Sequence, residues 1–272
     1  MKPFEYFRPE SLDELLKLLA THGPNARLLA GGTDLLVRAR KGTAGGAGVV
    51  VDIKRVKALG ADVTVIDNSI RIGARTVITD VVDAALIREH FPALIEAALV
   101  VGSIQIRNRA TLVGNLCNAS PAADTAPALL AYSATVNIAG TDGTRSMPLE
   151  DFFVGPGRSA LQHGEIVASV DLPLPAEATG GAFERLTRRQ GVDLAIVNVC
   201  CVARESGDVR LAFGAVGPRP IVVSGRRDTP LEELLTRASP RSDLRGSAGY
   251  RSAMLSVLAR RALNTAIRRI RR

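Results

Sequence analysis

The stretch RLLAGGTDLLVRAR (Arg27–Arg40) constrains the fold more than any other part of the chain. Two adjacent glycines stand between a short apolar run and a run with helical patterning. Glycine loses more conformational freedom on folding than any other residue, so a pair of them marks a place where the backbone must turn tightly or be approached closely. RLLA reads as a short buried strand, TDLLVRARKG as a short helix closed by Gly42, and GVVVDI as a second strand. Strand, turn, helix and strand make a small α/β unit. A second glycine-bearing stretch, IQIRNRATLVGNLCNASPAAD (Ile104–Asp124), gathers Thr111, Gly114, Asn115, Asn118 and Ser120 within ten residues.

Both stretches are phosphate-friendly. Backbone N–H groups in a tight turn form a concavity that favours anions, and Thr33 adds a hydroxyl. The first stretch is neither a G-x-G-x-x-G fingerprint nor a P-loop, since no Lys-Ser follows the glycines. A plain strand-to-helix turn with Asp34 near the helix N-terminus accounts for it equally well. Asp124 precedes TAPALLAY, where it would either cap a helix or accept hydrogen bonds from ligand hydroxyls. Arg107 is read as a fork that pins the loop through backbone carbonyls. The three histidines are scattered, and no nucleophile–base pair, paired carboxylates or H-E-x-x-H helix stands out, so no catalytic side chain is assigned. Polar loops without an acid, base or nucleophile suit a site where a bound cofactor carries the chemistry.

The remaining pattern is α+β. SLDELLKLLA carries a Ser cap, a Glu three residues later and a leucine stripe, the signature of a capped amphipathic helix. DVTVIDNSIRIGART, ATVNIAGTDGTRSMPL and LAIVNVCCVARESGDVRLAFGAVG read as hairpins turning at DNS, TDG and ESGD. TDVVDAALIREHFPALIEAALVVGS reads as two helices divided at Pro92, capped by Thr79 or Asp80. The segment from Ile104 to Ser120 looks too punctuated for a regular element. DTPLEELLTRA and YRSAMLSVLARRALNTAIRR read as helices, and DLPLPAEATGG (Asp171–Gly181) as a linker. The chain therefore divides into an α+β domain to about residue 173 and a smaller α+β domain after it.

Composition removes several alternatives. The three cysteines form no ligand spacing, and Cys200 and Cys201 fall in an alternating run that should point them to opposite faces of a strand. A reducing, cytoplasmic setting follows, with no signal-peptide pattern at the start and no apolar run long enough to span a membrane. The formal charge is +8, but aromatics are only 4% and Trp is absent, which leaves few stacking platforms for nucleic acid. Much of the excess lies at one end, in RRALNTAIRRIRR, where cations suit a helix C-terminus or would dock an acidic partner.

LLAGGTDLLVRAR, SIQIRNRATLVGNLCNASPAADTAPALL, RRQGVDLAIVNVC and DLRGSAGYRSAMLSVLARRAL together resemble the FAD-binding medium subunit of the molybdenum hydroxylases. The resemblance covers nearly the whole chain. It implies a vanillyl-alcohol-oxidase-type FAD-binding domain of two α/β subdomains over residues 1–173, then a small domain of antiparallel sheet and helices over 174–272. It implies that Leu28, Leu29, Ala30, Gly31, Gly32, Thr33, Asp34 and Leu35 wrap the FAD diphosphate, the glycines making room for it. Thr111, Leu112, Gly114 and Asn115 would line the other side, with Asp124 on the cofactor hydroxyls. Val101 and Ser103 would fall near the flavin, and Ile166 and Val167 near the adenine or ring edge. Arg185 stands where the family usually carries Lys, and a rigid fork there replaces a point charge. Val113 replaces a family glycine, so its side chain should point away from the cofactor. The implied assembly is a dimer of heterotrimers, with molybdopterin on a large subunit and two [2Fe-2S] clusters on a small one. In it, this chain relays electrons from cluster to FAD to a terminal acceptor. The alternative is a stand-alone FAD-dependent oxidoreductase of the same fold, which would need its own base near the flavin.

Overall fold

The fold is known from a computed structural model, which describes residues 3–42, 48–189 and 191–270. The chain opens with β1 (Glu5–Phe7), α1 (Leu12–His22), β2 (Ala26–Leu29), α2 (Leu35–Arg40) and β3 (Val49–Asp52). β1 and β2 flank β3, each parallel to it, and the two helices supply the crossovers that parallel pairing requires. α1 starts where the sequence places its cap: the Glu14 N–H donates to Ser11 Oγ at 3.1 Å. The reciprocal arm reaches one residue further back, with the Glu14 carboxylate accepting from the Glu10 N–H at 3.0 Å. Leu15, Leu16 and Leu19 bury the apolar stripe.

Next come β4 (Val63–Ile66), β5 (Ser69–Gly73), α3 (Ile78–Asp83), α4 (Ala85–His90), α5 (Pro92–Leu99), α6 (Ile104–Arg107), α7 (Leu112–Cys117) and α8 (Thr125–Ala131). They are followed by β6 (Thr135–Gly140), β7 (Gly143–Pro148), α9 (Leu149–Phe152), β8 (Phe153–Gly155), β9 (Arg158–Ser159) and β10 (Ile166–Pro173). The longer strands form a five-stranded antiparallel sheet in the order β4-β5-β10-β6-β7, with both expected hairpins in register. Two expectations are corrected here. The region around Pro92 holds three helices, because Ala84 adopts an extended conformation between α3 and α4. Thr79 and Asp80 lie inside α3 after an uncapped Val77, and the Thr79 hydroxyl instead donates to Asn108 Oδ1 at 2.5 Å. The punctuated stretch holds two short helices, each opened by a side-chain cap: Ser103 accepts from the Ile106 N–H and Thr111 from the Gly114 N–H.

The last part comprises β11 (Thr179–Leu186), β12 (Val197–Arg204), β13 (Asp208–Gly214), β14 (Ile221–Arg226), α10 (Leu231–Leu234) and α11 (Ala248–Ile270). The four strands pair in sequence order, all antiparallel. β12 is buried on both faces. Cys200 and Val202 join the main apolar core with α5 and α8, whereas Cys201 and Ala203 join a second core under α11, so the two cysteines do face opposite ways. The DTPLEELLTRA segment forms only the one-turn α10. Gly180 and Gly181, expected in a linker, belong to β11. A Cβ on Gly180 would fall inside the Ala266 carbonyl of α11, and one on Gly181 inside the Tyr132 hydroxyl. These glycines let the strand sit against α11 and the end of α8.

Candidate functional site

A cavity of about 610 Å³ opens where the β2–α2 turn faces α6, α7 and the start of β10. Leu28, Ala30, Gly31, Gly32, Thr33, Asp34 and Leu35 form one wall. Thr111, Gly114 and Asn115 form the opposite one, Val101 closes one flank and Ile166 with Val167 another. The two glycine-bearing stretches thus meet across one space, although residues 41–103 separate them in the chain.

They also touch directly, which changes the reason for the glycines. A Cβ on Gly31 would fall inside the Arg109 carbonyl, and it would crowd Ala110 Cα at 2.8 Å. Gly31 is therefore required by the backbone of the second stretch, not by a ligand. Gly32 has φ +77°, a left-handed conformation that side chains disfavour. The turn this creates leaves the N–H groups of Gly31, Gly32 and Thr33 without an acceptor among the described residues. A half-buried row of unpaired donors beside a cavity has the donor chemistry that a diphosphate requires.

The second wall is more heavily tied. Thr111, 5% exposed, caps α7 by accepting from the Gly114 N–H at 3.0 Å. Asn115 is oriented by the Thr125 hydroxyl, which donates to its Oδ1 at 2.7 Å. Arg107 donates to the Val101 carbonyl at 3.2 Å, the loop-pinning role expected of it. Ile106, Ala110 and Leu161 add apolar wall that excludes water. Val113 also borders the cavity, but it is only 4% exposed and packs into the main core.

Five expected residues lie outside the wall. Leu29 ends β2 beside Gly32, Leu112 is fully buried in the core, and Ser103 caps α6. Asp124 and Arg185 instead face each other at 3.5 Å behind the wall. Asp124 occupies the cap position of α8 but makes no capping bond. Its Oδ1 accepts from Asn198 Nδ2 at 2.9 Å. Arg185 donates to the Val100 carbonyl at 2.9 Å, next to wall residue Val101, and also to the Asp193 carbonyl. Burial pushes the Asp124 carboxyl up to about 6, outweighing the attraction of Arg185 and the bond from Asn198. Asn198, fully buried in β12, was not singled out from sequence. Its one signal is a polar residue inside the apolar run IVNVCCV.

Another cluster missed from sequence lies behind the first wall. Asp52, 2% exposed at the end of β3, accepts from the Tyr6 hydroxyl at 2.5 Å and pairs with Lys54 Nζ at 2.7 Å. Burial alone would raise the Asp52 carboxyl, but the hydrogen bonds from Lys54 and Tyr6 hold it below its ordinary range. Among the described residues, no group of three or more His, Cys, Asp or Glu is placed to hold a metal ion, and no helix is long and apolar enough to cross a membrane.

Residues 2–175 match the family described as the FAD binding domain in molybdopterin dehydrogenase. The chain is 32% identical to the xanthine dehydrogenase FAD-binding subunit of Escherichia coli O157:H7, over 96% of this chain and 95% of that protein. It is likewise 32% identical to the carbon monoxide dehydrogenase medium chain of Hydrogenophaga pseudoflava, over 97% and 96%. Its structure superposes on a chain of the reconstituted CO dehydrogenase from Oligotropha carboxidovorans with a TM-score of 0.92, at 27% identity over 98% of this chain and 99% of the other.

Proposed function

Because the chain belongs to the family of FAD-binding subunits of molybdopterin dehydrogenases, we propose that it is the electron-transfer subunit of a molybdenum hydroxylase. The observation that carries this reading is the cavity between the two glycine-bearing stretches, with unpaired backbone donors on one wall and an oriented asparagine on the other. FAD, when bound, supplies an electron store that accepts electrons from an iron–sulfur centre and passes them to a terminal acceptor.

The chain's own residues bind and orient. Gly31, Gly32 and Thr33 present N–H groups to the diphosphate, and Asn115 approaches it from the opposite side, on the short helix that Thr111 caps. Ile106, Ala110, Val101, Ile166 and Val167 exclude water from the rest of the cofactor. Asp124 and Arg185 act in this reading from behind the wall, through the Val100 carbonyl, and not as cofactor contacts. No side chain is needed as a general acid or base.

The same reading assigns residues 1–173 to a vanillyl-alcohol-oxidase-type FAD domain of two subdomains and residues 174–272 to the C-terminal domain. The partners are a large molybdopterin subunit and a small [2Fe-2S] subunit, assembled in the cytoplasm as a dimer of heterotrimers. The test is a visible spectrum of the purified full-length chain, with the released flavin identified and iron and molybdenum assayed. Oxidised-flavin bands, released FAD and no metal are expected, with two partner chains on co-purification from the source cell. A colourless chain that cannot be reconstituted with FAD overturns the proposal.

A further inference from the structure

Behind the first wall, Lys54 Nζ lies 3.5 Å from the Ala30 carbonyl, the residue that precedes the glycine pair. That distance is at the long limit of hydrogen bonding, so the ammonium acts on the carbonyl mainly through its charge. Lys54 is itself held at its side chain and at its backbone. Asp52 Oδ2 pairs with it at 2.7 Å, and the Lys54 N–H donates to Asp52 Oδ1 at 2.9 Å. Arg75 donates to the Lys54 carbonyl at 2.7 Å. The Asp52 side chain is 3% exposed and the Lys54 side chain 36%. A carboxylate that deeply buried makes this more than a loose surface ion pair.

In a trans peptide the C=O and the following N–H point in opposite directions. A carbonyl of Ala30 held towards Lys54 therefore turns the Gly31 N–H to the other side. Ala30, Gly31 and Ile53 line the cavity, whereas Lys54 and Asp52 do not, so the ammonium stands behind the peptide relative to the cavity. The Gly31 N–H has no acceptor among the described residues. Without the charge behind it, the Gly31 peptide would be free to rotate, because the missing Cβ removes the usual steric restraint. A rotated peptide would present the carbonyl oxygen to an anion.

We infer that Lys54, anchored by Asp52 and Tyr6, is a positioning residue that sets the Ala30–Gly31 peptide so that its N–H faces a diphosphate ligand. This rests on the proposed FAD-binding function. Lys54 touches no ligand itself, and its effect travels through one peptide plane.

The test uses the full-length chain, stripped of flavin and titrated with FAD while flavin fluorescence is followed, with thermal melting of the stripped protein alongside. Lys54→Met should raise the FAD Kd by about tenfold, the weight of one charge-assisted contact. It should leave the melting temperature of the stripped protein within about 3 °C. Lys54→Arg should recover most of the affinity, and Lys54→Gln, which keeps a donor but no charge, should fall between. A Lys54→Met Kd within about twofold of wild type overturns the inference alone. So does a loss of affinity that tracks a loss of stability and is not restored by Lys54→Arg. If wild type itself takes up no FAD, the proposed function fails, and this inference fails with it.

Discussion

The two walls of the cavity are built by opposite means. Residues 31–33 are half-buried, contain the glycine pair, and leave their N–H groups unpaired among the described residues. The opposite wall, Thr111, Gly114 and Asn115, is capped at Thr111 and tied by the bond from the Thr125 hydroxyl, with Asn198 bonding Asp124 behind it. The first wall is shaped by exclusion, since its path is the one that avoids the Arg109 carbonyl. The second is shaped by satisfied hydrogen bonds. Donors left free in one wall can serve a ligand only if the other wall is rigid enough to keep the gap constant. The asymmetry therefore teaches that the free backbone donors and most of the structural support are carried by different segments, with Asn115 adding a side-chain donor to the tied one.

The most severe way to break this arrangement is Gly31→Ala. The new methyl meets backbone atoms of Arg109 and Ala110, which cannot rotate away as a side chain would. Overpacking of this kind costs about 1–3 kcal/mol, and here it also forces the walls apart. FAD affinity should fall by about a hundredfold, read as flavin retained per chain after gel filtration, with a lowered melting temperature. Full flavin retention would mean that the first wall does not depend on the second.

Next in size is a pH effect at Asp124. Its folded pKa of about 6 lies above the ordinary value of 3.8, so the native state holds this proton more tightly than the unfolded chain does. Its contribution to stability is complete below the unfolded pKa and is lost as pH rises through 6, for a total of about 2–3 kcal/mol. Asp124→Asn has no proton to lose. Relative to wild type it should gain stability between pH 4 and pH 6.5, as measured by denaturant midpoints at the two ends. Parallel pH profiles would show that Asp124 stays ionised and that Arg185 outweighs burial.

Much of this was legible in the sequence because it is local. Ser11 with Glu14 and the leucine stripe specify α1, and the short polar turns at Asp67–Asn68 and Thr141–Asp142 specify their hairpins. The apolar run around Cys200 and Cys201 specifies a strand whose two cysteines face opposite sides. The residue types of the cavity were legible for the same reason, since small polar residues and glycines cluster in two short stretches. What was not legible depends on distant neighbours. Nothing near Gly31 signals that Arg109 occupies its missing side-chain position, and nothing near Gly181 signals Tyr132. Asp124 and Arg185 have the chemistry of ligand contacts, but strand pairing sets Arg185 opposite Asn198 and so turns both towards each other. Ala84 breaks a helix without glycine or proline, and no local pattern marks it.

A smaller effect is expected at the cap. Thr111→Ala leaves the Gly114 N–H without its acceptor, which costs about 1 kcal/mol and lowers the melting temperature by about 2–4 °C. Thr111→Ser should restore it. Flavin content should change little, because Asn115 keeps its bond from Thr125. If Thr111→Ala instead releases flavin without lowering the melting temperature, the hydroxyl contacts the ligand and the second wall is not purely support.

The smallest effect belongs to the basic end of α11, and it asks how far support for the walls extends. Arg269 donates to Glu96 Oε1 and to the Gly181 carbonyl, both at 2.5 Å, while Glu96 also accepts from the Phe183 N–H. This ties the last turn of α11 to α5, the helix that leads into Val100 and Val101. Arg271 and Arg272 lie outside the described residues. The Arg269 and Glu96 side chains are each 34% exposed, so solvent weakens the pair to about 1 kcal/mol or less. The Val100 carbonyl is held separately by Arg185. Arg269→Met should therefore lower the melting temperature by no more than about 4 °C and leave flavin content at the wild-type level. Deleting residues 268–272 should also preserve flavin, with a larger loss of stability because Ile270 leaves the second core. Loss of flavin from Arg269→Met would show that the wall at Val101 is set by α5 and its latch, and that the hydrogen bond from Arg185 is too weak to hold it alone.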